Sequence, residues 1–280
     1  MIYKRIKRRL DSLLYGKHFP FDAIKIKSII STNRSTLKKM DKWIDEKVYT
    51  QSHFGYGLPK EYFNGSNCLI NEEIVTDLTY TDALCYFSTL INNVKFLEIG
   101  VSVGKNFFQL ASFFDKATIV GYDLEELNPL VKMQLNTEKI KIKKWDTDAK
   151  FIKPSASSFT ENYTFKTNII NYVSADIYDM NGWECIKNSN FNMILSDACH
   201  SPEAILHEYE MLEKYSIINP NQFLIMWDDL GGEMTDSFVE IIKRMKKKYN
   251  ISKSNCLLLE LNGWVGKNEH KHLIGIIYKI

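Results

Sequence analysis

The chain has 280 residues, 45% of them hydrophobic and 25% charged, and a formal net charge of +2. This composition is typical of an ordinary globular protein and argues against a dedicated nucleic-acid binder, which would carry a strong basic excess. Five scattered cysteines without a CxxC pair indicate free thiols in a reducing compartment. The sequence has no apolar run of membrane-spanning length, and its basic N-terminus lacks the apolar core of a signal peptide, so we expect a cytoplasmic protein.

Residues 1–92 are predicted to form a mainly helical N-terminal extension that acts as a lid on a larger domain. Apolar residues recur at helical intervals between Ile2 and Leu14, beside a run of basic side chains. We interpret this stretch as a surface helix packed on the main domain; a helix that binds a membrane surface or a partner is the alternative. The extension is too irregular to be an independent domain. We therefore expect it to pack over a cleft or against a second copy, which predicts a homodimer or higher oligomer.

Residues 93–280 alternate short apolar runs with helical stretches, the pattern of an α/β domain. The predicted strands lie at 94–99, 118–122, 170–175, 193–196, 223–227, 256–261 and 273–278. Helices are predicted near 105–114, 202–215 and 235–249. Most of the runs are apolar on both faces, as strands covered by helices on both sides must be, which predicts a Rossmann-like, doubly wound sheet of seven strands. No helix separates the last two strands, so the last strand is predicted to be antiparallel.

The stretch 125–168, between the second and third predicted strands, is longer than a helical crossover needs. Its part at 153–158, with the sequence KPSASS, reads as a loop. Long loops in compact domains are usually functional or disordered. We interpret the stretch as an insertion that covers the substrate, with a mobile surface loop as the alternative.

A small-residue turn follows the first predicted strand. In the segment FLEIGVSVGKN (96–106), Gly100 and Gly104 allow a tight bend and the close approach of a ligand. The helix after the turn begins with unpaired backbone N–H donors. Asp123 ends the second strand, where a carboxylate can accept hydrogen bonds from both ribose hydroxyls of a nucleoside, and Asp176 follows the third strand, where it could receive an adenine amino group. These strand ends form the crevice that open parallel sheets use for ligands.

A second group of polar residues follows the fourth and fifth strands. Asp197 ends one of these strands, with His200 three residues later, and Asp228 and Asp229 end the next. Three carboxylates that converge at one sheet edge repel each other unless a cation neutralises them, and a hard divalent ion with oxygen ligands would do so. The alternative is that Asp197 caps the following helix while Asp228 and Asp229 are solvated loop residues.

Three other residues with ligating side chains receive simpler interpretations. Cys199 is predicted to be buried and to serve packing. His270 and His272 alternate at the edge of the last strand. We interpret both histidines as surface residues rather than as a metal-binding pair.

The segment FLEIGVSVG (96–104) resembles the first motif of the class I S-adenosylmethionine-dependent methyltransferases, and the resemblance covers about residues 94–280. It implies a set of residues that bind S-adenosylmethionine: Glu98, Gly100, Ser102, Gly104, Asn106, Asp123 and Asp176. By the family's pattern, Glu98 and the turn hold the methionine end, Asp123 holds the ribose and Asp176 the adenine. The sequence departs from the family at Ser102, where many members have glycine.

The pattern DxxHS, followed by a strand that ends in an acidic pair, is similar to the catechol-type methyltransferases and most similar to their macrolide-sugar O-methylating relatives. This resemblance implies that Asp197, Asp228 and Asp229 hold Mg²⁺ or Mn²⁺, with Asp197 and His200 at the catalytic centre and His200 as the general base. It also implies that the protein methylates a hydroxyl of a small molecule, chiefly a sugar or a sugar-containing metabolite. The pair itself differs, because the sugar-modifying relatives commonly have Glu-Asp and the catechol enzymes Asp-Asn.

Three other functions fit part of the sequence. The segment GVSVG (100–104) matches the nucleophile elbow of α/β-hydrolases with Ser102 as the nucleophile, but that fold places several strands before its elbow. A nicotinamide-binding turn needs GxGxxG, and two of its three glycines are missing here. A methyltransferase-like module that binds a nucleoside without catalysis is the remaining alternative, and the presence of Asp123, Asp197 and His200 argues against it.

Overall fold

The computed structural model describes residues 11, 13–41, 77–102, 104–127, 129–135, 159–263 and 271–280. The middle of the predicted insertion, His270 and the residues before Asp11 lie outside the described residues. Among the residues that are described, no helix is both long and apolar enough to cross a membrane.

Helices and strands alternate through most of the described chain. The helices are α1 (Ala23–Asp41), α2 (Tyr80–Ser88), α3 (Lys105–Phe113), α4 (Pro129–Leu135), α5 (Met180–Cys185), α6 (Pro202–Lys214) and α7 (Met234–Tyr249). The strands are β1 (Lys95–Ile99), β2 (Thr118–Asp123), β3 (Phe159–Phe165), β4 (Asn168–Ser174), β5 (Met193–Ser196), β6 (Phe223–Trp227), β7 (Cys256–Asn262) and β8 (Lys271–Lys279).

The described strands form one sheet in the order β3-β4-β2-β1-β5-β6-β8-β7. The five strands from β4 to β6 in this order pair in parallel, whereas β8 runs antiparallel to both of its neighbours. The order of strands along the sheet reverses between β1 and β5, which is the topological switch point of a doubly wound sheet. The Rossmann-like fold is therefore confirmed, with the seven predicted strands and the antiparallel last strand.

The sheet has an eighth strand, β3, within the stretch predicted to be an insertion. It pairs with β4 as an antiparallel hairpin across Lys166 and Thr167. Glu161, Tyr163 and Phe165 are at least partly buried, and the residues between them are exposed. This alternation is typical of an antiparallel strand with one solvated face. The ends of the stretch 125–168 are therefore helix α4 and an edge strand, not a continuous loop.

Helices cover both faces of the sheet. Buried side chains of α1, α2, α3 and α4 pack on one face, where Phe87, Phe107 and Leu110 lie among the core residues. Helices α5, α6 and α7 cover the other face. The N-terminal extension thus contributes two helices to the core of the larger domain.

A buried ion pair joins the two N-terminal helices. Arg34 of α1 donates from Nη2 to Oδ2 of Asp82 at 2.8 Å, and the two side chains are 3% and 0% exposed. Asn33 donates to the other carboxylate oxygen of Asp82 at 2.8 Å. Asp82 also completes a capping box with Thr79, the N-cap of α2. Asp82 therefore fixes both the start of α2 and the position of α1.

We expect Asp82→Asn to lower the free energy of unfolding by about 3 kcal/mol, because it removes the carboxylate charge that pairs with the buried Arg34 guanidinium. Urea denaturation measures this change. The matched control is Glu184→Gln, which removes the same charge from an exposed ion pair with Lys187 and should cost less than about 1 kcal/mol. Equal effects of the two substitutions would contradict the structural role of Asp82.

Candidate active site

The turn after β1 has left-handed backbone conformations at alternate residues. Gly100, Ser102 and Gly104 have φ angles of 86°, 51° and 80°. Glycine adopts this region freely, whereas a residue with a side chain pays roughly 1–2 kcal/mol for it. Ser102 therefore occupies a position whose geometry favours glycine.

Protein atoms, not open space, lie beside the two glycines of this turn. A Cβ on Gly100 would lie 2.2 Å from the backbone oxygen of Asp197, and one on Gly104 would lie 3.0 Å from Cγ2 of Val131. The sequence predicted that these glycines allow a ligand to approach closely. That prediction is wrong for the space that a Cβ on either glycine would occupy, because protein atoms already lie there. The two glycines instead permit the turn to pack against the end of β5 and against α4.

Asp123, at the end of β2, holds the turn in place. Its Oδ2 accepts hydrogen bonds from the backbone N–H groups of Val101 at 2.6 Å and Ser102 at 2.8 Å. Its Oδ1 accepts from the backbone N–H of Glu125 at 3.0 Å. A carboxylate has about four acceptor positions. Asp123 thus keeps acceptor capacity for a ligand while it shapes the turn.

Glu98 is buried beneath the turn with one carboxylate oxygen paired and one unpaired. Its Oε1 accepts from Nδ2 of Asn106 at 3.0 Å, and the Asn106 Oδ1 accepts from the Thr81 hydroxyl at 2.7 Å. Its Oε2 is buried and has no hydrogen-bond partner among the described residues. Burial raises the pKa of Glu98 well above its ordinary value. Because buried acceptors are normally satisfied, this oxygen is a candidate partner for a donor on a ligand.

Asp176 lies two residues beyond β4, at the same edge of the sheet. Its side chain is exposed, and its Oδ1 accepts a hydrogen bond from the backbone N–H of Tyr178 at 2.9 Å. The backbone oxygen of Asp176 accepts from the hydroxyl of Tyr122 at 2.9 Å. Asp176 is therefore accessible at the edge where Asp123 and the turn also lie.

His200 connects two of the acids that the sequence singled out. Its Nε2 lies 2.9 Å from Oδ1 of Asp197, and its Nδ1 lies 3.4 Å from Oδ2 of Asp229. The helix that follows is capped by Ser201, whose hydroxyl accepts from the backbone N–H of Ala204. The alternative interpretation of Asp197 as the cap of this helix is therefore wrong, and its carboxylate faces His200 instead.

His272 joins the same group of acids from β8. Its Nδ1 lies 2.9 Å and 3.0 Å from the two carboxylate oxygens of Asp228 and 3.0 Å from Oδ1 of Asp229. The sequence interpretation of His272 as a surface residue is therefore wrong. The physical reason is the strand direction: an antiparallel last strand begins at the edge where the parallel strands end. That rule was available from the sequence.

The charges in this cluster compensate one another. Burial and the neighbouring Asp228 raise the pKa of Asp197, whereas the hydrogen bond from His272 lowers the pKa of Asp229. The hydrogen bond to Asp197 raises the pKa of His200 to about 9. Burial opposes the charged form of His272, but the hydrogen bonds to Asp228 and Asp229 outweigh it and raise its pKa to about 10. The acids thus attract positive charge, which two imidazolium groups or a metal cation can supply.

Tyr80 brings the N-terminal extension to this site. Tyr80 is the first residue of α2 and is 1% exposed. Burial raises its pKa well above the ordinary value, and the charges of Asp197 and Asp228 add to the effect. Its ring centroid lies 5.7 Å from that of His272. The sequence offered no indication of this contact, because it depends on how α2 packs against the sheet.

Cys199 lies in the loop between Asp197 and His200 and is exposed. The sequence prediction that it is buried for packing is therefore wrong. The preceding strand β5 is fully buried, but the chain leaves the core immediately after it.

Glu208 is buried beneath the site on α6. The hydroxyl of Ser196 donates to its Oε2 at 2.5 Å, and its Oε1 has no hydrogen-bond partner among the described residues. Burial raises the pKa of Glu208 to about 8. In the unfolded chain a glutamate ionises near pH 4.3, so the native state binds a proton that the unfolded state releases between these two pKa values.

We expect Glu208→Gln to stabilise the protein relative to the wild type, and to do so more at pH 9 than at pH 5. Below pH 4.3 both states of the wild type are protonated, and the cost of the buried carboxyl grows as the pH rises towards 8. The stabilisation by glutamine should reach on the order of 5 kcal/mol at pH 9 and fall to about 1 kcal/mol at pH 5. Urea denaturation of both proteins at the two pH values measures it. A difference that does not depend on pH would contradict the assignment of a neutral native Glu208.

No protein-family model matches the sequence, and no curated protein matches it. Solved structures with a similar fold include the O-methyltransferase from Bacillus cereus in complex with SAH, at 13% identity and a TM-score of 0.43 over 93% of each chain. Another is CalS11, a TDP-rhamnose 3'-O-methyltransferase of calicheamicin biosynthesis, at 14% and 0.42 over 94% of this chain and 96% of that one. A third is the O-methyltransferase TomG from Streptomyces achromogenes, at 14% and 0.40 over 72% and 80%. At this level of similarity, their activities do not carry over to this chain.

Proposed function

We propose that this protein is an S-adenosylmethionine-dependent O-methyltransferase. It acts, with the help of a divalent metal ion, on a hydroxyl of a small molecule, chiefly a sugar or a sugar-containing metabolite. The observation that carries the proposal is the direct packing of the turn after β1 against a cluster of acids and histidines. The cluster consists of Asp197, His200, Asp228, Asp229 and His272. Gly100 lies so close to Asp197 that a Cβ would meet its backbone oxygen at 2.2 Å. A methyl donor bound at the turn and an acceptor bound at the cluster would therefore be neighbours.

The residues at the turn fit S-adenosylmethionine. Glu98 has a buried oxygen without a partner, suited to a donor such as the amino group of the methionine end. Asp123 has acceptor capacity beyond the turn amides, suited to the ribose hydroxyls. Asp176 is exposed at the next strand end, where it would accept from the adenine amino group. Asn106 orients Glu98 through its 3.0 Å hydrogen bond.

The acids of the cluster fit a divalent cation. Asp228, Asp229 and His272 each offer a ligand atom, and these atoms lie within 4.8 Å of one another. Asp197 is linked to the same group through His200. Carboxylate oxygens are the ligands that Mg²⁺ and Mn²⁺ prefer. We therefore assign Asp197, Asp228 and Asp229 as metal ligands.

The chemistry follows from these groups. A sugar hydroxyl is a poor nucleophile because it is almost wholly protonated at neutral pH. The metal ion, when bound, supplies positive charge that lowers the pKa of a nearby hydroxyl. His200 accepts the hydroxyl proton, and Asp197 orients the ring through its 2.9 Å contact and stabilises the resulting imidazolium. S-adenosylmethionine, when bound at the turn, would supply an electrophilic sulfonium methyl. The methyl would pass to the acceptor oxygen as the carbon–sulfur bond breaks, and the electron pair of that bond would remain on the neutral thioether of S-adenosylhomocysteine.

We expect Asp123→Ala to lower the affinity for S-adenosylhomocysteine at least tenfold, because charge-assisted hydrogen bonds contribute roughly 1.5–3 kcal/mol. Calorimetry measures the affinity. Since Asp123 also shapes the turn, the same titration with the 2′,3′-dideoxy analogue separates the two roles. The substitution should weaken the dideoxy analogue far less. Equal losses for both ligands would show that Asp123 acts only on the turn and would contradict the ribose assignment.

The direct test of function is methyl transfer from labelled S-adenosylmethionine to a panel of hydroxylated acceptors. The panel should contain free sugars, nucleotide-linked sugars and simple phenols. The proposal predicts label in a sugar-type acceptor and formation of S-adenosylhomocysteine. Binding of the donor without transfer to any member of the panel would instead favour a nucleoside-binding module that lacks catalysis.

A further inference from the structure

We propose that His272 is a nitrogen ligand of the metal site and that this site consequently selects Mn²⁺ over Mg²⁺. The inference rests on the proposed function and extends it, because the acids alone form an all-oxygen site. His272 would add a ligand from β8 to the ligands at the ends of β5 and β6. The ligand set would then be a mixture of nitrogen and oxygen.

The geometry points to Nδ1 of His272. This one atom lies 2.9 Å, 3.0 Å and 3.0 Å from three carboxylate oxygens of Asp228 and Asp229. A single ring N–H can donate well to one of these oxygens, so hydrogen bonding alone leaves two of the close approaches without a strong donor. A cation held between Asp228 and Asp229 would lie close to this same Nδ1 atom.

The surroundings of the ring keep Nδ1 directed at the acids. Nε2 faces Gly263, where a Cβ would lie only 2.5 Å from it. Tyr80 lies against the ring, at 5.7 Å between centroids. The lack of a side chain at Gly263 therefore provides the space that the imidazole occupies.

The ligand chemistry determines which metal the site prefers. Mg²⁺ strongly prefers oxygen ligands and water, whereas imidazole nitrogen suits first-row metals such as Fe²⁺, Ni²⁺ and Zn²⁺. Mn²⁺ belongs to the same row and accepts nitrogen more readily than Mg²⁺ does. Carboxylates bind both kinds of ion. The nitrogen of His272 should therefore contribute to the affinity for Mn²⁺ and contribute little to the affinity for Mg²⁺.

The test is metal binding by the full chain, followed by electron paramagnetic resonance. Mn²⁺ is titrated into the metal-free protein, Mg²⁺ competes in a second titration, and pulsed measurements detect coupling between Mn²⁺ and ¹⁴N. We expect ¹⁴N coupling in the wild type and its loss in His272→Ala. Mn²⁺ affinity should fall at least about tenfold in that variant, a minimum set by the losses seen for residues that only support a ligand. Mg²⁺ affinity should change by less than about threefold.

Three further variants test whether His272 is the residue that supplies the coupled nitrogen. Gly263→Ala keeps the imidazole but crowds its Nε2 side, so it should weaken Mn²⁺ binding even if His272→Ala fails to fold. His200→Ala should retain the ¹⁴N coupling. His18→Ala changes an exposed histidine and should behave as the wild type.

The outcomes separate this inference from the proposed function. Calorimetry with S-adenosylhomocysteine on the same samples reports the proposed function independently of the metal. A wild type that binds S-adenosylhomocysteine and Mn²⁺ but keeps its ¹⁴N coupling in His272→Ala overturns the inference alone. A wild type that binds S-adenosylhomocysteine but no Mn²⁺ overturns both the inference and the metal assignment of the proposed function. A wild type that binds Mn²⁺ through His272 but does not bind S-adenosylhomocysteine overturns the proposed function and leaves the metal ligand standing.

Discussion

Replacing His200 with alanine is expected to lower the turnover number for methyl transfer by about 10²–10⁴-fold, the usual contribution of general acid–base catalysis. The ring is positioned for this role by its contacts with Asp197 at 2.9 Å and Asp229 at 3.4 Å. Affinity for S-adenosylmethionine should hardly change, because the residues assigned to its binding lie on other strand ends. Steady-state kinetics with saturating donor and acceptor measure the effect.

The pH profile distinguishes a base from a residue that merely supports the fold. Because the hydrogen bond to Asp197 raises the pKa of His200 to about 9, the ring carries a proton near neutral pH in the protein without bound ligands. The wild-type rate should therefore rise with pH as the ring loses this proton. A divalent cation on the acids should shift the rise to lower pH, since it offsets the negative charge that favours imidazolium. His200→Ala should lose the rise that belongs to titration of the imidazole and should regain part of its rate only at higher pH, where hydroxide replaces the base. An unchanged turnover number would remove His200 from the mechanism.

Removal of divalent metal is expected to suppress methyl transfer strongly while binding of S-adenosylhomocysteine stays within about twofold. Without a cation, the acceptor hydroxyl loses the charge that lowers its pKa and one of its positioning contacts. The contacts assigned to the nucleoside at Asp123 and Asp176 are not affected. Assays with a chelator, followed by addition of Mn²⁺ or Mg²⁺, measure loss and recovery.

The matched substitution is Asp229→Asn, which keeps the size of the side chain and removes one charge. It should raise the metal concentration needed for half-maximal activity. A full rate in the presence of the chelator would contradict the metal assignment. In that case His200 still serves as the base, and the imidazolium of His272 supplies the positive charge near the acids.

The sheet was predictable because its buried strands carry an unambiguous pattern. Strands such as 193–196 and 223–227 are apolar on both faces, and the structure has them at the predicted positions. Strand β3 was missed for the opposite reason. It lies at the sheet edge, exposes every second residue and follows a long polar stretch, so its apolar content resembles that of a loop.

The candidate site was predictable where it depends on strand ends and not where it depends on packing between distant segments. Parallel strands bring Asp197, Asp228 and Asp229 to one edge whatever the details of the helices. The contribution of His272 was predictable only from the direction of the last strand, because an antiparallel strand begins at the edge where the parallel strands end. Tyr80 could not be found from the pattern, because its position depends on the packing of α2. The metal, the acceptor and the homodimer stay predictions, since they involve atoms beyond this chain.

A crystal structure of the protein with S-adenosylhomocysteine and Mn²⁺ tests most directly whether the donor binds at the turn beside the acids. We expect the ribose hydroxyls to contact Asp123 and the amino group of the homocysteine end to satisfy the unpaired oxygen of Glu98. The sulfur should face the side of the cleft that holds Asp197 and His200, with Mn²⁺ on the acids. A ligand bound elsewhere, or a turn that stays empty at a saturating concentration, would contradict this expectation.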